Sequence, residues 1–411
     1  MKILFLTIGR MESIEDYGIY PDLLRCFRDN GHDVYTVSPY EKRRGMETSL
    51  SEDGGVHMLH VKIGNITKCG IVEKGISTLQ IEGKFLKAIK KYFGGVKFDL
   101  VMYSTPPITF EKVIKYIKRR DNASSYLLLK DIFPQNAVDI GMMTKNGVKC
   151  IMYKYFRKKE ERLYKTSDFI GCMSPANVEY VLKNNSTISK ERVEVCPNSI
   201  SPRDMTVCAE DKGEMRKKYG IPNDKTVFIY GGNLGKPQGI PFLIKCLESQ
   251  KDREDVFFLV VGDGTEYKKI EEYVLRSEQK NLKLMKKLPK EDYDRMVGSC
   301  DVGLIFIDSR FTIPNFPSRL LSYMQAKLPV ISVTDANSDI GSTIENGGFG
   351  WSCTGNSVAE FDSAVKLACD ADRGSLGERA WNYLNDNYTV DNAYGLIMNH
   401  FDSEAVPQEN K

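Results

Sequence analysis

Val227-Phe228-Ile229-Tyr230-Gly231-Gly232-Asn233-Leu234-Gly235-Lys236-Pro237-Gln238-Gly239 carries an apolar strand into a glycine turn, and the turn opens a helix around residues 242–247. Strand, tight turn, helix is the repeating unit of a parallel sheet, because a parallel neighbour can be reached only by a crossover, and a helix is the compact one. The unit recurs in both directions from this stretch. Upstream, strand-like runs lie at 1–8, 34–37, 56–61, 99–103, 126–132, 169–173 and 193–196. Downstream they lie at 257–261, 282–285, 302–307 and 330–333, with helix-length segments between them. The fold class is therefore α/β, and the expected architecture is two doubly wound, Rossmann-like domains.

A chain of 411 residues fits two such domains of roughly 200 residues each. The polar stretch 201–224, with Pro202 and Pro222, reads as a linker and a short helix between them. The predicted domains are 1–200 and 201–385, with a C-terminal helix in 386–411 that either completes the second domain or crosses back to the first. A formal net charge of +3 is too small to mark a nucleic-acid-binding protein. No run approaches the ~18 apolar residues that span a bilayer, so any membrane contact is expected to be peripheral. Ten cysteines are scattered singly, without a C-x-x-C pair, and read as the reduced thiols of a cytoplasmic protein.

In open α/β sheets ligands bind outside the carboxyl ends of the strands, so the chemistry is sought in the loops that follow them. In the quoted turn, Gly232 lets the backbone approach a phosphate, with Asn233 beside it and Lys236 supplying a cation. The bland alternative is a tight turn with a solvated lysine. Val260-Val261-Gly262-Asp263-Gly264 is a second strand ending in a glycine turn. No G-x-G-x-x-G fingerprint occurs anywhere, which argues against a nicotinamide-dependent dehydrogenase. Pro314-Asn315-Phe316-Pro317-Ser318-Arg319 leads into a helix over 320–325. Backbone N–H groups at the helix start, Ser318 as cap and the forked cation Arg319 together suit a diphosphate, although Ser318 would also serve as a structural cap alone.

In the first domain, Leu129-Lys130-Asp131-Ile132-Phe133-Pro134 places a cation and an acid after an apolar strand. They form either an internal salt bridge or a hydrogen-bonding site for an acceptor hydroxyl. Asp292-Tyr293-Asp294 formally matches a D-x-D metal motif, but it opens a helix and reads as carboxylates complementing the dipole. His32, His57, His60 and His400 show no metal-ligand spacing with cysteine or carboxylate.

These residues resemble glycosyltransferase family 4, and within it the bacterial surface-polysaccharide transferases of the N-acetyl-L-fucosamine transferase type. The resemblance is carried by Gly31-His32-Asp33-Val34, Lys130-Asp131-Ile132-Phe133-Pro134, Met173-Ser174-Pro175-Ala176-Asn177, Pro197-Asn198-Ser199, the Gly232 loop, Val261-Gly262-Asp263-Gly264, and Pro317-Ser318-Arg319 with Leu328-Pro329-Val330-Ile331. It implies a GT-B fold, two domains facing each other across a cleft. It also implies a metal-independent, retaining transfer from a nucleotide sugar bound mainly by the second domain, with the donor as substrate and no cofactor.

Carried over by position, Gly232 and Lys236 approach the diphosphate, while Ser318, Arg319 and the backbone of Asn315, Phe316 and Pro317 hold it as it leaves. Leu288 and Pro289 lie near the nucleobase. Lys130 stands where the family has a histidine before Asp131, and both are expected on the acceptor side. The chain also departs from the family. Asn233 and Gln238 stand where an arginine and a lysine are common, and of the family's paired glutamates the one that usually grips the ribose falls at Ser322 and the earlier one near Pro314.

The resemblance further implies a UDP-sugar donor and a polyprenyl-diphosphate-linked glycan acceptor at the inner face of the cell membrane. Residues 145–165 mix lysines and arginines with Ile151, Met152, Tyr153, Tyr155 and Phe156. They fit either a membrane-surface segment or an ordinary amphipathic helix. Two other functions share this fold. A sugar-nucleotide epimerase would need acid/base residues in its cleft, and a weakly binding partner protein would tolerate the missing glutamates.

Overall fold

The computed structural model describes residues 1–67, 69–147 and 150–402; Val148 and Lys149 of the basic stretch and residues 403–411 lie outside them. The chain forms two compact units, Met1–Ser201 with the chain from Thr389 onward, and Pro202–Tyr388.

The first unit is built on eight strands: β1 (Lys2–Leu6), β2 (Asp33–Glu41), β3 (Ser49–Asp53), β4 (Val56–Ile63), β5 (Leu100–Ser104), β6 (Ser124–Leu129), β7 (Phe169–Cys172) and β8 (Val193–Val195). Their order across the sheet is β3-β4-β2-β1-β5-β6-β7-β8. All neighbours pair in parallel except β3, which runs antiparallel to β4 at the edge. β3 is absent from the sequence-based expectation because Ser49-Leu50-Ser51-Glu52-Asp53 is polar and exposed along most of its length. An edge strand needs no apolar alternation when only its backbone is paired.

Side chains alternate across this sheet with the period of two expected of a strand. Leu4 and Leu6 of β1 join one core cluster with the helices Ile71–Tyr92, Glu111–Asp121 and Cys150–Thr166, through Phe85, Ile114 and Leu163. Ile3 and Phe5 point to the opposite cluster, with Leu24 and Phe27 of helix Ile19–Asp29 and Ile397 and Met398 of helix Val390–Asp402. The returning chain is tied in at Val390, whose N–H donates to Ile200 O at 3.0 Å.

The second unit has six strands, β9 (Thr226–Asn233), β10 (Val256–Asp263), β11 (Leu282–Met285), β12 (Val302–Phe306), β13 (Val330–Thr334) and β14 (Gly350–Thr354). They lie in the order β11-β10-β9-β12-β13-β14, all parallel. β14, Gly-Trp-Ser-Cys-Thr, is too short and mixed to announce itself in sequence. Strand order reverses between β9 and β12, and a doubly wound sheet opens a crevice at such a switch point, outside the strand carboxyl ends.

Candidate functional site

In the second unit the ends of β9 and β10 lie side by side, with Gly231 opposite Val261, Gly232 opposite Gly262 and Asn233 opposite Asp263. The glycines are there because nothing larger fits. A Cβ on Gly262 would sit 1.9 Å from Gly232 O, and one on Gly231 would sit 1.8 Å from Tyr293 Oη. Gly232 has φ +116°, in the region that L side chains rarely adopt. The buried Tyr323 holds the two sides of the switch point: its hydroxyl accepts Gly231 N–H (3.2 Å) and points at the carbonyls of Ile229 (3.2 Å) and Leu304 (3.1 Å).

Above these strand ends lies a cavity of about 620 Å³, lined by Gly232, Asn233, Val261, Gly262, Asp263, Lys287, Leu288, Pro289, Lys290 and Tyr293. This is the size range of small-ligand sites. Of the residues given a donor-side place in the sequence, Gly232, Asn233, Gly262, Leu288 and Pro289 line it. Tyr293, Asp263, Lys287 and Lys290 were not foreseen as wall residues. Tyr293 belongs to helix Lys290–Gly298, where its flanking acids have other work. Asp292 pairs with Lys218 (3.5 Å) and Asp294 with Lys290 (2.9 Å).

Arg319 opens helix Arg319–Gln325, beyond β12, and returns to the end of β9. Its guanidinium carbon lies 4.5 Å from the centre of the Tyr230 ring, and its Nη2 is 3.6 Å from where a Cβ of Gly232 would be. Its Nη1 is sealed from solvent and has no hydrogen-bond acceptor among the described residues. A cation held over a buried aromatic face, with one donor unused beside a glycine strand end, is an arrangement whose chemistry suits an anion. Burial raises Tyr230 and pushes Tyr293 up to about 12, so both phenols stay neutral around it.

The remaining positions are arranged differently from expectation. Ser318 precedes the helix but its side chain makes no capping bond, and it is exposed. The N–H of Asn315 is already donated to Ser338 Oγ (2.8 Å), and Pro317 has none, so the backbone of this loop offers a ligand less than the sequence suggested. Phe316 packs against Tyr388 at a tilt of 54°, with ring centres 6.0 Å apart. Ser322 is half-buried one turn into the helix and is not a cavity wall. Lys236 is exposed on the turn, whereas Gln238 is folded inward, its Oε1 accepting from Gly235 N (3.1 Å) and Asn233 Nδ2 (3.0 Å). Gln238 therefore shapes the turn in place of supplying a charge to it.

In the first unit, Lys130 and Asp131 follow β6 at its carboxyl end. They do not pair with each other. Lys130 Nζ donates to Cys196 O (3.2 Å), and Asp131 Oδ1 accepts from Asn136 Nδ2 (2.8 Å). The Thr105 hydroxyl braces both, accepting Lys130 N–H at 3.1 Å and donating to Asp131 O at 3.3 Å. Burial lowers Lys130 and raises Asp131 to about 6. An aspartate so placed gains or loses its proton near neutrality, which suits a group that meets a hydroxyl.

Comparison with known proteins gives this geometry its chemistry. Residues 211–380, nearly the whole of the second unit, match the family model described as glycosyl transferases group 1. The second unit thus carries a group 1 glycosyl transferase domain. A curated relative of the transferase is the probable glycosyltransferase WbjE of Pseudomonas aeruginosa, 24% identical over 330 residues, which are 80% of each chain. Among solved structures, sucrose-phosphate synthase from Thermosynechococcus elongatus superposes with a TM-score of 0.74 at 13% identity, covering 98% of the transferase and 100% of that chain. Anabaena Alr3699/HepE in complex with UDP-glucose follows at 0.67 and 15%, with 98% and 100% covered. At such identities the two structures are similar to it in fold alone.

Proposed function

We propose that the transferase takes a hexose or N-acetylhexosamine from a UDP-sugar, without a metal and with retention at the anomeric carbon, and passes it to a polyprenyl-diphosphate-linked glycan in surface-polysaccharide synthesis. The observation that carries the donor half is Arg319, with its unused Nη1 at the end of β9. A diphosphate oxygen supplies the missing acceptor, and the fixed cation stabilises the charge that grows on UDP as the glycosidic bond breaks. The nucleobase lies against Leu288 and Pro289 in the cavity, and Gly232 and Gly262 let the phosphates reach the backbone. The HepE complex supports a uridine nucleotide for this fold.

On the acceptor side, Asp131 and Lys130 receive the attacking hydroxyl. A lipid-linked acceptor would set the transferase at the inner face of the membrane, and the basic helix Cys150–Thr166 supports a peripheral contact there. Thermal stabilisation by UDP, GDP and a panel of UDP-sugars, in wild type and Arg319→Ala, tests the donor half. A shift with UDP that is lost in Arg319→Ala is expected. No shift with any nucleotide in the wild type would overturn the reading.

A further inference from the structure

Three tyrosines, Tyr230, Tyr293 and Tyr323, lie around the Arg319 guanidinium. Two of them spend their hydroxyls on the backbone. Tyr323 accepts Gly231 N–H (3.2 Å) and points at the carbonyls of Ile229 and Leu304, and Tyr230 donates to Asn233 O (3.0 Å). Tyr293 differs: its hydroxyl makes no hydrogen bond among the described residues, and only burial and neighbouring charges act on it. A phenol set into a buried strand end ordinarily finds a partner.

The chain nevertheless makes room for that hydroxyl. A Cβ on Gly231 would sit 1.8 Å from Tyr293 Oη and 2.7 Å from its Cζ. The central strand β9 therefore gives up a side chain at its end, which weakens a strand, to admit an oxygen that the fold does not bond. The ring would fill its part of the wall equally well without that oxygen.

The position of the hydroxyl says what it meets. Tyr293 lies in the first turn of helix Lys290–Gly298, just after Leu288 and Pro289, and its side chain reaches from there to the end of β9, where Arg319 also arrives. Burial outweighs the pull of the Arg319 charge and pushes Tyr293 up to about 12, so at neutral pH the phenol has a proton to donate. Other donors at this strand end are spent or turned out. Asn315 N–H goes to Ser338, Asn233 Nδ2 goes to Gln238, and Lys236 stands exposed on the turn. The acid among the cavity walls, Asp263, accepts Gly264 N–H (2.9 Å) and has no proton to give an anion. A carboxylate suits the hydroxyls of a ribose, which donate; a protonated phenol beside a guanidinium suits a phosphate oxygen, which only accepts.

We propose that Tyr293 is a second ligand of the donor's diphosphate, its hydroxyl donating to a phosphate oxygen that Arg319 also holds. This rests on the nucleotide-sugar donor proposed above. A neutral donor beside a fixed cation gives the phosphate a further contact without a second buried charge to desolvate.

UDP and uridine are titrated calorimetrically into the full chain, as wild type and as Tyr293→Phe, and melting temperatures are taken without ligand. Tyr293→Phe, which keeps the ring, should bind UDP roughly 10- to 100-fold more weakly, as for the loss of a hydrogen bond to a charged group. Uridine, which has base and ribose but no phosphate, should bind both proteins alike. The ligand-free melting temperature should stay equal or rise, since no bond within the chain is lost. If wild type binds UDP and Tyr293→Phe binds it within about twofold as well, the inference fails and the donor reading stands. An equal loss for UDP and uridine would also overturn it, by making the hydroxyl a ribose contact or, with a fall in melting temperature, a structural group. A wild type that binds no nucleotide would overturn the donor reading itself and this inference with it.

Discussion

The carboxyl edges of the two sheets are built from the same strand-turn-helix unit and treat charge in opposite ways. In the second sheet the edge is cut down to backbone by Gly231, Gly232 and Gly262, and Arg319 is left with an unused donor over Tyr230. In the first, Lys130 and Asp131 are each tied to a separate internal partner, and burial moves both toward neutrality. One edge keeps a permanent charge ready for a ligand that brings its own. The other keeps a group poised to exchange a proton. The diphosphate and the sugar hydroxyl proposed for these edges would call for that difference.

The comparison breaks most sharply at Arg319. Arg319→Met should cost roughly 3–5 kcal/mol of UDP binding, as expected when one partner of a desolvated charge pair is removed. Its melting temperature without ligand should stay equal or rise, because a buried cation lacking an acceptor does not stabilise the fold. A large fall in melting temperature with UDP affinity intact would make Arg319 a structural residue. Gly262→Val tests the backbone edge, since its side chain would begin 1.9 Å from a carbonyl oxygen. We expect more than about 3 kcal/mol of lost stability by denaturant titration.

Asp131→Asn sharpens the other side. Burial holds Asp131 at about 6, above its unfolded value of about 4, so the folded state disfavours the carboxylate. The stability that protonation supplies is present below pH ~4 and is lost as pH rises through 6. The amide removes that penalty while still accepting from Asn136. The variant should therefore be more stable than wild type by about 2–3 kcal/mol above pH 6, the gap closing as pH falls toward 4. Its transfer activity should drop, and the loss of wild-type activity below pH ~6 should be absent from its profile. Smaller effects follow away from the two edges. Gln238→Ala, which opens the turn, should weaken UDP binding by about 1 kcal/mol. Ser322→Ala, behind the cavity wall, should move it by less than about 0.5 kcal/mol in the same titration.

Much of the framework is legible in the chain because it depends on local pattern. Buried parallel strands such as Val256–Asp263 are continuous apolar runs, and glycines at 231, 232, 262 and 264 mark where strands end close together. The edge strands β3 and β14 were not legible, since pairing on one side by backbone alone leaves little imprint on side chains. At the site, Gly232, Asn233, Gly262 and Leu288 follow strands and were found by that rule. Tyr293 was not, because nothing in Asp292-Tyr293-Asp294 says that the ring packs against Gly231, a neighbour sixty-odd positions away in the chain.

From sequence alone came the α/β class, the two series of strands, and the strand-end loops as the place for chemistry, because periodicity and turn residues are properties of neighbours along the chain. The tertiary structure decided what each charged residue does. Lys130 and Asp131 are separated by their partners Cys196 and Asn136, Asn315 N–H is consumed by Ser338, and Arg319 alone keeps a sealed guanidinium nitrogen without an acceptor among the side chains sequence reading had placed at the site. Whether a polar group is spent or available depends on what lies within three ångströms of it, and that is set by residues far away in sequence.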